Sequence, residues 1–293
     1  MLVPHFTEVA VSQSPEPEAW LDGFAFLEGP RWHDGRLWVS DMHGHVVLAI
    51  DEDGETEEIL RLETRPSGLG WLPDGRLLVV SMVDRRVMRL DPGGLALHAD
   101  LGKIATWHCN DMVVDAQGRA YVGNFGFDLD EKAEPCTAAM ALVHPDGRVE
   151  RAADELSFPN GSVITPDGGT LIVGESFGGC LSAFTIASDG TLSDRRVWAQ
   201  LEGAVPDGIC LDAEGAVWVA SPVSNEVLRV REGGETTHRI PTGQSAIACM
   251  LGGADRQTLF VLTSKTTAPE EAVALKSARI DRLRVDVPGA GLP

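Results

Sequence analysis

Five glycines in this chain each open a short apolar strand. Each follows, at seven or eight residues, a polar side chain at one phase of a repeat. Glu28 precedes Gly35, Ser67 precedes Gly75, Asn110 precedes Gly118, Asn160 precedes Gly168, and Asp207 precedes Gly215. Acids and amides recur at one phase of a strand-rich repeat when those side chains meet, so this position marks the expected functional centre.

The copies share one grammar. The first, EGPRWHDGRLWVSDMHGHVVLAID (28–51), places a tight turn at Asp34-Gly35 before an alternating strand and a second turn at His43-Gly44 before VVLAI. Further copies begin at Ser67, Asn110, Asn160 and Asp207, the third interrupted by a polar insertion at 127–137. A degenerate sixth copy spans 247–264, with Ala248 read at the recurring position, and the insertion KTTAPEEAVALK separates it from ARIDRLRV. Copies at roughly 40 to 50 residues, several short strands in each and almost no helical periodicity, predict an all-β, six-bladed β-propeller. The whole chain, 1–293, then forms one domain. Segments 5–12 and 20–27 read as short strands, and TEVAVS (7–12) is expected to supply the fourth strand of the last blade and close the ring.

In a propeller the innermost strand of each blade lines the axis, so residues at one phase converge there. The converging set holds two carboxylates, Glu28 and Asp207, two amides, Asn110 and Asn160, and one hydroxyl, Ser67. Facing carboxylates in a narrow channel repel, which favours protonation of one of them or capture of a divalent cation. Oxygen ligands without thiolates favour Ca²⁺, with Mg²⁺ and Mn²⁺ as the other hard ions and Zn²⁺ less suited. Taken singly, an Asn or Asp ahead of a strand is a turn or cap residue. Four at one repeat phase reverse that reading; Ser67 keeps it.

The remaining composition excludes other classes. A net charge of −20 disfavours binding to nucleic-acid backbones and to anionic membranes. It also favours a neutral small molecule over an anionic one. No apolar run reaches membrane-spanning length and the N-terminus lacks a secretory pattern, while five scattered cysteines without CxxC spacing point to a reducing cytoplasm. G-x-S-x-G, H-E-x-x-H and P-loop patterns are absent. Cys109 alternates away from Asn110 and reads as a core residue.

LEGPRW (27–32), CNDMVVDAQGR (109–119), FPNGSVITPDG (158–168), GTLSDRR (190–196) and VPDGICLDAEGAVWVA (205–220) together resemble the SMP-30/gluconolactonase/luciferin-regenerating-enzyme (regucalcin-like) family, in the same order over nearly the whole chain. The resemblance implies one catalytic divalent metal in the channel, held by Glu28, Asn160 and Asp207, with Asn110 as a further ligand, direct or through water. It also implies that Asp207, the aspartate of the PDG motif, is the general base.

The expected reaction is opening of a lactone ring, either a sugar-type aldonolactone or a less polar γ- or δ-lactone. The metal would polarise the carbonyl, and Asp207 or a bound water of lowered pKa would serve as base. Sugar-lactone members carry an arginine two residues ahead of the CND-type asparagine; here His108 takes that place, after Trp107. Loss of the forked donor weakens the case for a polyol substrate. His108, Trp107, Phe125 and Asp128 are the candidate substrate contacts, with Phe127 nearby, and Asp111 is a candidate to orient a ligand or water. The segments 127–137 and 264–276 are candidate lids. Hydrolysis of another electrophile such as a phosphotriester, or non-catalytic calcium binding on a scaffold, are the alternatives.

Overall fold

The computed structural model describes residues 16–292. Six four-stranded antiparallel sheets form six blades. The first strands are Leu27–His33, Pro66–Trp71, Cys109–Val114, Pro159–Ile164, Ile209–Leu211 and Ser245–Gly252. Each packs against the first strands of the blades on either side, sixth against first included, so these strands line the axis. The remaining strands follow outward in chain order in blades 1 to 5.

Local chemistry accounts for the strands. Asp34 and Gly35 have φ of 49° and 73°, both in the left-handed region that a two-residue hairpin turn requires. The second strands, such as Leu77–Ser81 and Val217–Ser221, are buried along their whole length between neighbouring blades, which explains their continuous apolar composition. Outer strands alternate less cleanly and face solvent: Thr56–Arg61 is mostly exposed.

Ring closure uses the N-terminus, through a different segment from the one expected. The fourth strand of blade 6 is Glu18–Phe24, paired with Ala278–Arg284, rather than 7–12, which lies outside the described residues. Trp20 anchors it, its ring 5.2 Å from Phe260, and Arg282 pairs with Glu18 at 2.9 Å.

Because every first strand starts at the same end of the ring, the turns between second and third strands fall on that face. The 127–137 insertion and a short helix, Pro269–Leu275, occupy two of these turns. Asp130 in the first reaches Arg65 of blade 2 at 3.6 Å, and Ala272 in the second joins the apolar cluster that holds Phe26, Met42 and Ile247. At the opposite end, the C-terminal tail crosses the ends of the inner strands. Leu292 bridges to Ile164, Gly289 bridges to Asp212, and the Gly289 amide donates to the Arg256 carbonyl at 2.8 Å. The tail covers blades 4, 5 and 6 there, leaving the first-strand face as the approach to the axis.

Candidate metal centre

Glu28, Ser67, Asn110 and Asn160 all sit at or next to the first residue of an inner strand, and Asp207 lies just ahead of Ile209–Leu211. In blades 1 to 4 a β-bulge follows directly: one extra residue separates Glu28 from Arg31, Pro66 from Leu69, Cys109 from Met112 and Pro159 from Ser162 relative to the partner strand. Blade 6 has the same bulge, between Ala246 and Ala248. Ala246 lies opposite Thr263, as Leu27 lies opposite Asp41. The sixth position is therefore Ile247, not Ala248: Arg256, at φ 56°, stands in the place of the turn glycine and follows the ring position by nine residues instead of seven or eight. Ile247 is buried and apolar and adds no ligand.

The residue after each ring member is where neighbouring inner strands approach most closely. A Cβ on Gly161 would lie 2.6 Å from the Asp207 carbonyl oxygen, and one on Gly68 would lie 2.4 Å from the Met112 amide nitrogen. The Gly161 amide donates to the Asp207 carbonyl at 3.2 Å and the Gly208 amide to the Ile247 carbonyl at 2.9 Å. These bonds between blades set the height of each polar side chain on the axis. The glycine after Glu28, Ser67, Asn160 and Asp207 was the sequence signal for this contact.

The side chains from blades 3, 4 and 5 are linked. Asn160 Nδ2 donates to Asp207 Oδ1 at 2.6 Å and to Ser176 Oγ at 3.2 Å, and Asn110 Nδ2 reaches the Pro159 carbonyl at 3.4 Å. Glu28 takes the Gly29 amide on Oε2 at 3.2 Å. Glu28 Oε1, Asn110 Oδ1, Asn160 Oδ1 and Asp207 Oδ2 accept no hydrogen bond from any described residue.

Burial raises the Glu28 carboxyl well above the usual carboxylate range, with the nearby charges of Asp207 and Asp111 adding to the shift. Burial likewise pushes Asp207 up to about 7, opposed by the hydrogen bond from Asn160 and aided by Asp111. Two ionised carboxylates on one axis, with four free oxygens among them and the amides, fit a hard divalent cation. Among the described residues no three His, Cys, Asp or Glu side chains cluster as a metal site.

Asp111 lies near enough to the ring for its charge to bear on Glu28 and Asp207, and its own hydrogen bonds run to blade 1 and to its own strand. Its Oδ1 accepts from Arg31 Nη2 at 2.5 Å and from the Met112 amide at 2.9 Å, with no hydrogen bond to a ring amide. Arg31 also donates to the carbonyls of Leu69 (2.9 Å), Pro30 (2.8 Å) and Met112 (2.5 Å), so one buried guanidinium ties blades 1, 2 and 3 together beneath the ring. The sequence reading had passed over Arg31, which the bulge after Glu28 swings inward. Ser67 belongs to a strand rather than a turn, and its buried hydroxyl has no partner. Cys109 is fully buried among apolar side chains and its thiol is pushed up to about 12 by burial, as a core residue requires.

Of the proposed substrate contacts, His108 and Trp107 stack at 5.0 Å, and His108 faces Phe125 at 6.0 Å. Trp107 Nε1 and His108 Nδ1 are buried and unpartnered. Burial first, then the Arg65 charge, lowers the His108 pKa, which keeps the ring neutral at pH 7. Asp128 instead accepts the Glu131 amide at 2.9 Å and so caps its own loop. Two clefts of about 800 and 660 Å³ lie between blades 6 and 1 at the opposite end of the molecule. In the larger one Asp255 pairs with Arg284 and Glu18 with Arg282.

A sequence model of the SMP-30/gluconolactonase/LRE-like region matches residues 26–265. Regucalcin of Danio rerio is 30% identical over 264 residues, covering 84% of this chain and 85% of that protein. Regucalcin of Gallus gallus is 28% identical over 163 residues, about half the length of each chain. Among solved structures, a gluconolactonase from Xanthomonas campestris superposes with a TM-score of 0.72 at 26% identity, covering 96% of both chains. A calcium-binding regucalcin from Agrobacterium tumefaciens reaches 0.80 at 22% identity, covering 96% of this chain and 97% of that one, which supports the fold alone. The family-model match over residues 26–265 and a relative 30% identical over 84% of the chain make this chain a member of the SMP-30/gluconolactonase/LRE-like family, and the six four-stranded blades agree with it.

Proposed function

We propose that this protein is a metal-dependent lactonase. The observation that carries the proposal is the convergence at one phase of the inner strands of two carboxylates, buried Glu28 and half-buried Asp207, with Asn160 hydrogen-bonded to Asp207 and the Asp207 charge bearing on Glu28. Glu28, Asn110, Asn160 and Asp207 would hold one divalent cation, Ca²⁺ by the chemistry of an all-oxygen set, over Mg²⁺, Mn²⁺ or Zn²⁺. When bound, that ion supplies Lewis-acid polarisation of the lactone carbonyl.

The protein's own residues do the rest. Asn160 holds the Asp207 carboxylate through the 2.6 Å bond to Oδ1, which leaves Oδ2 free to take a proton from the attacking water and return it to the leaving ring oxygen. Arg31 and Asp111 brace the inner strands of the first three blades under the ring without touching substrate. Trp107, His108 and Phe125 pack together just ahead of Asn110 and would border the substrate through their ring faces. Five free cysteines, including Cys210 and Cys249 unbonded at 3.9 Å, fit a reducing compartment such as the cytoplasm. No described helix is long and apolar enough to cross a membrane.

The test is acid release from a panel of aldonolactones and simple γ- and δ-lactones, with protein loaded in turn with Ca²⁺, Mn²⁺, Mg²⁺ and Zn²⁺. Turnover that disappears on chelation and in Asp207→Asn is expected. Calcium binding without turnover of any lactone would instead favour the second reading, a calcium-binding protein, for which the similarity to regucalcin speaks. Turnover of a phosphotriester alone would favour the same site acting on another electrophile.

A further inference from the structure

The mouth of the channel is aromatic on one side. In blades 3 and 4 the residues two places ahead of Asn110 and Asn160 are His108 and Phe158. From His108 the rings continue to Phe125 at 6.0 Å, from Phe125 to Phe158 at 4.5 Å in a stacked pair, and from Phe158 to Phe177 at 5.2 Å. Phe127 closes the group edge-on against Phe177 at 5.3 Å. The series runs from the buried Phe158 out to Phe177, which is 54% exposed although it is a large apolar ring at a turn on the open face. Core packing explains Phe127 and Phe158; it leaves the outward end at Phe177 without a partner.

Phe158 is held at φ 62°, a conformation rare for a bulky side chain. Its amide donates to the Leu156 carbonyl at 3.2 Å and its carbonyl accepts the Ser176 amide at 3.1 Å, so the backbone fixes it in place. The same Ser176 accepts from Asn160, which couples the aromatic wall to the ring. Across the mouth the Arg65 guanidinium is drawn toward Asp130 at 3.6 Å. A sugar lactone would need donors and acceptors for several hydroxyls on the side where blades 3 and 4 present carbon, and a hydroxyl desolvated there without a partner is costly.

We propose that the substrate is a neutral lactone whose ring carries an aryl or alkyl substituent, with that substituent lying on the wall formed by Phe125, Phe158 and Phe177. This rests on the lactonase reading above and narrows its substrate class. Aromatic faces receive planar and aliphatic groups by offset stacking and by removal of apolar surface from water. The net charge of −20 disfavours an anionic substituent at the same place.

The experiment compares γ-phenyl-γ-butyrolactone, unsubstituted γ-butyrolactone and glucono-δ-lactone on the calcium-loaded protein, followed by acid release. The phenyl lactone should exceed the unsubstituted one in kcat/KM by about tenfold or more, the discrimination expected of an apolar contact of this size. Phe177→Ala, at a position 54% exposed, should cut kcat/KM for the phenyl lactone several-fold more than for the unsubstituted one. Saturation-transfer NMR on metal-free protein with 2-phenyltetrahydrofuran, which has no carbonyl to hydrolyse, should show contact with the phenyl protons that Phe177→Ala weakens. Faster opening of the unsubstituted or gluconic lactone, equal loss on all three in Phe177→Ala, or no transfer to the phenyl protons overturns the proposal. Absence of turnover on every lactone sinks the lactonase reading and this inference with it, whereas turnover without a phenyl preference sinks this inference alone.

Discussion

Asn160 Nδ2 lies 2.6 Å from Asp207 Oδ1, a charge-assisted bond between side chains 47 residues apart on adjacent blades. It is the shortest route by which the chain controls the residue assigned to proton transfer. Asp207→Asn should abolish lactone opening by two to four orders of magnitude, the range for loss of a positioned general base, and is checked by single-turnover acid release (about 10²–10⁴-fold). Asn160→Ala should lower both cation affinity and rate, because it removes a ligand oxygen and frees the carboxylate to rotate; calcium titration by calorimetry separates the two effects.

Stability of the metal-free protein should fall as pH rises. Asp207 titrates at about 7 in the folded chain, against about 4 when unfolded, so between those values the folded state holds a proton the unfolded state has lost. That contribution is complete below the unfolded pKa and is lost as pH rises through 7, and Glu28, shifted in the same direction, adds to it. Thermal melts of chelated protein from pH 5 to 8 should show the midpoint dropping. Saturating Ca²⁺ should remove the drop, since the cation stabilises both ionised carboxylates. A flat profile without metal would count against the arrangement.

Arg31→Met should destabilise strongly, by about 3–5 kcal/mol, because it leaves the Asp111 carboxylate buried without its cation. It also strands the carbonyls of Leu69 and Met112. Combining it with Asp111→Asn should cost less than the sum of the single changes, measured as a double-mutant cycle by urea unfolding.

Two glycine substitutions should part company. Gly161→Ala drives a Cβ to within 2.6 Å of the Asp207 carbonyl oxygen and the Ile209 amide nitrogen, so the inner strands of blades 4 and 5 must separate and the ring with them. Gly168→Ala meets open space and bears only the strain of φ 70°. Calcium affinity should fall in the first variant and hold in the second, with both losing about 1–3 kcal/mol of stability.

The propeller was legible because its evidence is periodic. Asp-Gly turns, alternating strands and a polar residue at a constant phase recur along the chain, and Glu28, Asn110, Asn160 and Asp207 could be matched by counting. Counting failed where the backbone departs from the period. In blade 6 the turn residue is Arg256, not a glycine, and comes one place later, which moves the sixth position from Ala248 to Ile247; Ser67, read as a turn residue, lies in a strand with its hydroxyl unpaired. The closing strand, Glu18–Phe24, was chosen by the fit of Trp20 on Phe260 and of Glu18 on Arg282, contacts that span almost the whole chain.

By itself, then, the sequence determined how many blades form and which side chain each blade sends toward the axis, since both follow from local turn chemistry and strand period. Only the tertiary structure decided what those side chains meet. Asn160 finds Asp207, Asp111 takes its hydrogen bond from Arg31 of blade 1, and Phe158 joins Phe125 and Phe177 in a wall beside the ring. Such pairings depend on how closely neighbouring inner strands approach once the ring closes, a distance set by packing between residues far apart in the chain and encoded in no single repeat.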